Sequence, residues 1–295
     1  MNVNSDIGIP PRHQPLASAA TPNFCHSSIW LRRNAPRSAA AHFLAAAIVS
    51  VYVLNISTVS ASQLVRDQYG TIIRGDQRTK KLALVFTGDE YGESLAPILD
   101  ALKPRKITAA FFVTGNFLRQ PVLLSLLKRA VAQGHYVGPH SNSHPLYASW
   151  DDRGKSLVSE EFFRNDLRRN IADLRQNGLL TASGAIFFIP PYEQCNRDQV
   201  RWARKVGVTM INFTPGSGSN RDYAKESDSR FVSSQKIYDD ILAYERKDPH
   251  GLNGFVLLLH LGSGRKDPFH ARLGPLCDEL RKRDYDFERV DQLLR

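Results

Sequence analysis

The sequence predicts an α/β fold in which strands and helices alternate and close, or nearly close, into one β/α barrel. Short apolar runs rich in β-branched and aromatic residues recur after residue 80, and stretches with helical hydrophobic periodicity separate them. Strands that alternate with helices pair in parallel through right-handed crossovers. About seven such units in roughly 215 residues suit a barrel better than an open sheet.

The predicted elements follow one another in regular order. The strands are residues 82–86, 108–113, 135–137, 185–189, 208–213, 255–260 and 285–290. The helices are residues 93–102, 117–133, 159–176, 198–205, 234–245 and 269–282. Polar, glycine-rich or proline-rich sequences such as FTGDE, GPHSNSH and IPPYE follow the strands. Because the loops after the strands of such a barrel form one rim, we expect the chemically active side chains to meet there.

The composition excludes several classes of protein. With 42% hydrophobic and 23% charged residues in 295, the chain can form one sizeable globular core. Its formal net charge is +10, but no basic stripe interleaved with aromatic residues and no nucleic-acid motif accompanies that charge, so we expect no nucleic-acid partner. Three cysteines are too few for a disulfide framework or a four-thiolate zinc site.

The amino-terminal region is typical of a targeting segment. Residues 1–37 are polar and aperiodic, so we expect a disordered leader. Residues 38–61 contain an apolar core with arginines before it and a small-residue cleavage site at its end, which favours a signal peptide. The apolar residues 39–59 are also long enough for an uncleaved anchor in the inner membrane. Either alternative predicts a periplasmic or secreted protein, and we expect residues 62–80 to be a linker.

Export would place the folded part in an oxidising compartment. Cys195 and Cys277 would remain after cleavage and could pair there.

Two histidines lie four residues apart in the rim sequence HSNSH. His140 and His144 can bind one metal ion if this segment is helical or tightly looped. Zinc usually takes three protein ligands and leaves a position for water, and Asp89, after the first strand, is the best third candidate. These donors suit one divalent ion, with Zn²⁺ favoured and Co²⁺, Ni²⁺ or Mn²⁺ compatible. Helix capping is the alternative role for Asp89.

A further histidine ends the apolar run LLLH. His260 is either a core residue or a catalytic acid at the rim. Asp222 and Asp267 are both candidates to orient its imidazole.

The segments LALVFTGDE, AAFFVTGNF, GHYVGPHSNSH, FFIPPYE and LLLH, in this order, resemble the polysaccharide deacetylase family. This family is the NodB-homology domain of carbohydrate esterase family four, and the FTGDE and PPYE motifs indicate a divergent branch. The resemblance covers residues 81–295. It implies a single-domain, distorted (β/α)7 barrel that uses a metal to remove acetyl groups, usually from N-acetylated sugars in polymers.

The resemblance also implies roles for individual residues. Asp89, His140 and His144 correspond to the metal-binding triad, and His260 corresponds to the general acid.

Substrate contacts are expected from the loop after the fourth strand and from rim aromatics. Pro191 and Tyr192 resemble the segment that lines the groove and offers a backbone N–H to the oxyanion. The candidates to stack on sugar rings are Tyr91, Tyr147, Trp150, Tyr192 and Phe213, and core packing is the alternative role of each.

Two positions depart from the family pattern. The first motif usually reads Phe-Asp-Asp, with the first Asp as general base, but Thr87 stands there. Ile189 stands where the third motif usually has the arginine that orients the base. Glu90 and Glu193 are the candidates to replace that base, because each adjoins a motif at the rim. A surface ion pair or a helix cap is the alternative role for these carboxylates.

We therefore expect an exported, metal-dependent hydrolase that removes acetyl groups from N-acetylated sugars of a polysaccharide or its fragments. One alternative is a catalytically silent carbohydrate-binding barrel, which Thr87 and Ile189 favour. Another is an O-acetyl esterase that acts on acetylated glycans. The expected partner is a carbohydrate polymer or oligosaccharide, and a membrane only if the leader stays uncleaved.

Overall fold

The structure, a computed structural model, describes residues 63–180 and 184–295. The expected leader, residues 1–37, and the expected signal or anchor segment, residues 38–61, lie outside the described residues. The strands are β1 (Val65–Arg66), β2 (Ile72–Arg74), β3 (Lys81–Gly88), β4 (Ala110–Val113), β5 (Tyr136–Pro139), β6 (Ile186–Phe188), β7 (Val208–Met210), β8 (Phe255–His260) and β9 (Asp286–Phe287). The helices are α1 (Leu95–Leu102), α2 (Gly115–Leu118), α3 (Pro121–Ala132), α4 (Glu160–Gln176), α5 (Arg197–Val206), α6 (Ser234–Lys247), α7 (His270–Lys282) and α8 (Val290–Leu293).

The strands form a curled sheet and a separate strand pair. The main sheet has the order β1-β2-β8-β3-β4-β5, and β9 also pairs with β3. Pairing is antiparallel at β1–β2 and β2–β8 and parallel elsewhere in this sheet. β6 and β7 pair in parallel with each other, and a parallel bridge between Ile72 and Ile211 links them to β2. The predicted barrel is confirmed, with an opening between β5 and β6.

Alternation along the strands sorts their side chains onto two faces. In β3, Leu82, Leu84 and Phe86 belong to the large core packed against the helices. Ala83 and Val85 belong to a second cluster inside the barrel. Because side chains in a strand point to opposite faces in turn, each strand carries one row of residues toward the interior and the rim.

The segment expected to be a linker, residues 62–80, instead contributes two strands. The turn between β1 and β2 is held by Asp67, whose carboxylate accepts the backbone N–H groups of Tyr69 and Thr71 at 2.9 Å each. Strands of two and three residues carry too little hydrophobic pattern to predict, so their pairing depends on the sheet they join.

The predicted helix 117–133 is divided into two. Pro121 is the first residue of α3, where its missing N–H and fixed φ are favourable, and α2 ends three residues earlier.

Cys195 and Cys277 are both free and buried, so they do not form a disulfide with each other. Across the described ranges, no helix is both long and apolar enough to cross a membrane.

Candidate active site

The rim at the carboxyl ends of the parallel strands surrounds one cleft of about 780 Å³. Most of the predicted site residues line this cleft, among them Asp89, Glu90, His140, His144, Trp150, Tyr192, Glu193, Phe213 and His260. One that does not, Pro191, is fully buried beside Tyr192 in the chain. The structure therefore brings the predicted residues together at the predicted end of the barrel.

The HSNSH segment is a tight loop and not a helix. Ser141 and His144 have positive φ angles of 77° and 54°, and the Ser141 hydroxyl accepts the His144 N–H at 2.8 Å. The His140 and His144 ring centroids are 5.2 Å apart. The loop thus brings the two imidazoles onto the same side of the cleft.

Two side chains of α4 hold this loop from outside. The Asp166 carboxylate accepts the Asn142 N–H at 2.9 Å and the Ser143 hydroxyl at 2.5 Å. Asn170, one helical turn later, accepts the His140 N–H at 3.0 Å. The sequence did not indicate either residue, because a polar residue on an amphipathic helix is expected to face solvent. In the structure both side chains are buried.

The donor atoms of the predicted metal ligands are oriented by neighbouring groups. His140 Nδ1 donates to the Ile189 carbonyl at 2.7 Å, which leaves Nε2 as the unprotonated nitrogen. Asp89 Oδ1 accepts from Thr114 Oγ1 at 2.7 Å and from Asn116 Nδ2 at 2.8 Å. Since α1 begins at Leu95 with Ser94 before it, neither Asp89 nor Glu90 caps that helix.

Asp89 Oδ2 lies 3.5 Å from His144 Nδ1. This is long for a hydrogen bond and near the separation of about 3.4 Å expected between two ligands of one tetrahedral zinc ion. Burial lowers the pKa of His140 and of His144, so both imidazoles favour the neutral form that binds metals. Within the described residues, no three His, Cys, Asp or Glu side chains are already closed around one point. The chemistry and the proximity of these donors fit a divalent ion, and its binding is part of the proposal below.

His260 is held by one carboxylate at two atoms. Asp222 Oδ1 lies 2.7 Å from His260 Nδ1, and Asp222 Oδ2 accepts the His260 backbone N–H at 2.9 Å. Burial acts to lower the pKa of His260, but the charge and hydrogen bond of Asp222 outweigh it, so the pKa is raised. Asp267, the other candidate, instead accepts the Ser234 N–H.

Glu193 enters the cleft from a strained turn. Tyr192 and Glu193 have consecutive positive φ angles of 57° and 54°, a conformation that is costly for residues other than glycine. Asn212 Nδ2 fixes the turn by donating to the Glu193 carbonyl at 2.8 Å. Burial raises the pKa of Glu193 from 4.5 to about 7, with the His260 charge opposing this rise. Such a carboxyl can change protonation state near neutral pH.

The remaining candidates at the rim are Glu90 and the aromatic residues. Glu90 is exposed, and its backbone carbonyl accepts from Gln120 Nε2. The Tyr192 ring lies 4.4 Å from the His144 ring and 6.5 Å from the Trp150 ring. Trp150 is 63% exposed, so it does not pack in the core, and Phe213 is partly buried at the cleft wall. Tyr91 also lines the cleft, whereas Tyr147 is fully buried in the core and cannot stack on a sugar.

The two departures from the family pattern have different surroundings. Ile189 is fully buried in the interior cluster, so its side chain cannot orient a base. Thr87 is buried but lines the cleft.

Two arginines line the cleft that the sequence analysis did not single out. Arg153 lies over the Tyr69 ring, 4.5 Å from its centroid, and Arg230 lies over the Tyr223 ring at 5.3 Å. Neither arginine stands in a recognisable motif, and the sequence does not show which ring each arginine will contact.

The sequence profile of the family described as polysaccharide deacetylase matches residues 74–211. The chain is 35% identical over 236 residues to the peptidoglycan-N-acetylmuramic acid deacetylase PdaA of Bacillus subtilis, which covers 77% of this chain and 76% of that relative.

Solved structures share the fold. The structure of Bacillus subtilis PdaA, a family 4 carbohydrate esterase, superposes with a TM-score of 0.60 at 20% identity, over 76% of this chain and 85% of that one. The wild-type form of a family 4 pseudoenzyme from Bacillus anthracis superposes with a TM-score of 0.59 at 20% identity, over 78% of this chain and 70% of that one. At these identities the likeness establishes the fold and confirms the distorted barrel.

Proposed function

This chain belongs to the polysaccharide deacetylase family, and from that membership we propose that it removes acetyl groups from N-acetylated sugars of a cell-wall glycan or its fragments. The observation that carries the proposal is the meeting of Glu193, His260 and the Asp89–His140–His144 group in one cleft. The relative from Bacillus subtilis is named as a deacetylase of N-acetylmuramic acid in peptidoglycan. Peptidoglycan is therefore the first substrate to test.

Asp89, His140 and His144 would hold the metal ion, with zinc the best match to one carboxylate and two imidazoles. A bound divalent ion supplies two kinds of chemistry, because it makes water more acidic and polarises the acyl carbonyl.

We assign the proton transfers to Glu193 and His260. Glu193 takes a proton from the attacking water, and the water oxygen forms a bond to the acetyl carbon. The Tyr192 N–H, which has no acceptor among the described residues, donates to the oxygen that becomes negative. His260 gives its proton to the sugar nitrogen as the carbon–nitrogen bond breaks. Acetate and a free amine leave, and proton exchange with solvent restores both residues.

Glu193 is favoured over Glu90 as the base. Glu193 is partly buried, and its raised pKa indicates the enclosed surroundings in which a carboxylate is a stronger base. Glu90 is exposed to solvent at the outer rim.

The test is acetate release from peptidoglycan glycan strands by the zinc-loaded protein, with Glu193→Gln and Glu90→Gln as a matched pair. We expect Glu193→Gln to lose at least about a hundredfold in kcat, the contribution usual for a general base, and Glu90→Gln to lose less than about tenfold. Chitooligosaccharides and O-acetylated xylan serve as comparison substrates. Release from the xylan alone would favour the O-acetyl esterase.

A catalytically silent carbohydrate-binding barrel is the second candidate. Thr87 and Ile189 at the places of the usual base and its arginine favour it, and a pseudoenzyme shares the fold. Binding of oligosaccharide without acetate release, in protein that contains metal, would support this candidate.

We further propose that the protein acts outside the cytoplasm, in the periplasm or the medium. The support is the sequence of residues 38–61, with its apolar core and small-residue end. Cell fractionation tests this, because recovery of the protein in the cytoplasmic fraction would contradict it. Mass spectrometry of the amino terminus then separates cleavage after residue 61 from an uncleaved anchor.

A further inference from the structure

The side chain of Thr87 lies on the inner face of the barrel. Ala83 and Val85, four and two residues earlier in β3, belong to the interior cluster, and the alternation of the strand continues this face to Thr87. Thr87 is only 2% exposed and lines the cleft. Its hydroxyl therefore faces the reaction space from the floor of the cleft.

Within residues 63–180 and 184–295, this hydroxyl has no hydrogen-bond partner. Several buried side-chain polar atoms in the described part of the chain lack a partner, and Thr87 Oγ1 is the only one of them on a residue that lines the cleft. An unpaired buried hydroxyl is costly, whereas valine would occupy the same volume without that cost. The hydrogen-bond partner of this hydroxyl must therefore be a molecule bound in the cleft.

The neighbours of Thr87 are the groups that we propose to move protons. Thr87 and His260 are register partners in the parallel strands β3 and β8. Register partners project from the same face of a sheet, and adjacent strands are about 4.8 Å apart. Glu193 lines the same cleft as both of these residues. Thr87, His260 and Glu193 thus all face one reaction space.

We propose that Thr87 Oγ1 binds and orients the water that attacks the acetyl carbon. The hydroxyl oxygen accepts one O–H of that water, which leaves the second O–H for Glu193 and a lone pair for the carbonyl. Thr87 forms and breaks no covalent bond and carries no charge. The residue that cannot act as a base at this position instead holds the water for a base on another loop. The catalytic consequence rests on the proposed function, but the water site does not.

The test compares Thr87→Val, which removes the hydroxyl at constant shape, with Thr87→Ser, which keeps it. In the zinc-loaded protein we expect Thr87→Val to lower kcat by about tenfold to a hundredfold, as misplacement of a reactant does, with KM within about twofold. We expect Thr87→Ser to keep kcat within about threefold. The thermal midpoint of Thr87→Val should equal or exceed that of the wild type, because an unpaired hydroxyl is lost.

Crystal structures of the wild type and Thr87→Val give a readout that does not depend on turnover. We expect an ordered water within hydrogen-bond distance of Thr87 Oγ1 in the wild type and its loss or displacement in Thr87→Val. If the wild type releases no acetate, the proposed function fails, and the presence or absence of that water still decides this inference. Unchanged kcat in Thr87→Val, a water that stays in place, or a variant that is less stable or does not fold would overturn it.

Discussion

Asp222 holds His260 by both of its carboxylate oxygens, one on the imidazole Nδ1 at 2.7 Å and one on the backbone N–H at 2.9 Å. The Asp222 side chain is almost fully buried, so its charge acts on the imidazole with little screening by water. This arrangement fixes the ring and favours the imidazolium form that a general acid needs.

Asp222→Asn should lower the pKa of His260, because the variant keeps an acceptor but removes the charge that raises it. Activity that requires protonated His260 is lost as pH rises through its pKa. We therefore expect the alkaline limb of the kcat–pH profile to move to lower pH and kcat to fall by about tenfold to a hundredfold. An unchanged alkaline limb would show that His260 is not the acid.

Glu193→Gly should separate stability from activity. Glycine accepts the positive φ of 54° without strain, so we expect the free energy of unfolding at pH 4, where the Glu193 carboxyl is neutral, to stay the same or rise by up to about 1 kcal/mol, while acetate release at neutral pH falls at least about a hundredfold. Lys106→Gly is the matched control, because Lys106 has a φ of 51° and is exposed away from the cleft. It should relieve similar strain and leave activity intact. A large loss of stability in Glu193→Gly would contradict the strain argument.

The raised pKa of Glu193 also predicts a dependence of stability on pH. The pKa is about 7 in the folded protein and 4.5 ordinarily, so the stability associated with the neutral carboxyl is fully present below pH 4.5 and is lost as pH rises through 7. In metal-free protein, Glu193→Gln should therefore raise the free energy of unfolding at pH 8 by up to about 3 kcal/mol and change it little at pH 4. Urea unfolding at both values measures this difference, and an equal effect at the two would refute it.

Asp166→Asn should weaken metal binding without contact with the ion. The variant loses one of the acceptor oxygens that hold Asn142 and Ser143, and outer supports of this kind are usually worth about 10- to 100-fold in metal affinity. Asp173→Asn, on the same helix, is the control, because Asp173 is only partly buried and the α4 side chains that hydrogen-bond to the loop are Asp166 and Asn170. Calorimetric titration with zinc compares the two. Equal affinities would show that the loop does not need α4.

Trp150→Ala should raise KM for an oligosaccharide by about tenfold and leave kcat and stability nearly unchanged. The ring is 63% exposed and lies beside Tyr192, so its removal costs stacking on a sugar and little packing. Val122→Ala controls for the loss of an exposed apolar side chain, since Val122 is 73% exposed and does not line the cleft. A loss of kcat with constant KM would assign Trp150 a different role.

The sequence allowed the barrel and its rim to be predicted because the pattern is local. The uninterrupted apolar run of β3 and the polar residues directly after it place Asp89 at the carboxyl end of a strand. The HSNSH spacing similarly places two imidazoles in one loop. Both inferences use only neighbouring residues and the rule that strand ends share an edge.

Features that depend on tertiary contacts were not predictable. The choice of Asp222 over Asp267 requires knowledge of which loop reaches β8. Asp166, which holds the HSNSH loop, is 23 residues from Ser143 and 24 residues from Asn142 along the chain. The positive φ angle of Glu193 could not be predicted, because a glutamate at this position does not indicate a left-handed backbone conformation.

The most direct test of the proposed function is to measure metal content and acetate release in the same preparation, with His140→Ala/His144→Ala beside the wild type. We expect about one divalent ion per chain and acetate release from peptidoglycan strands that stops when a chelator removes the ion and returns when zinc is restored. The double variant should lack both. A protein that holds the ion but releases no acetate from peptidoglycan strands, chitooligosaccharides or acetylated xylan would contradict the proposed deacetylation.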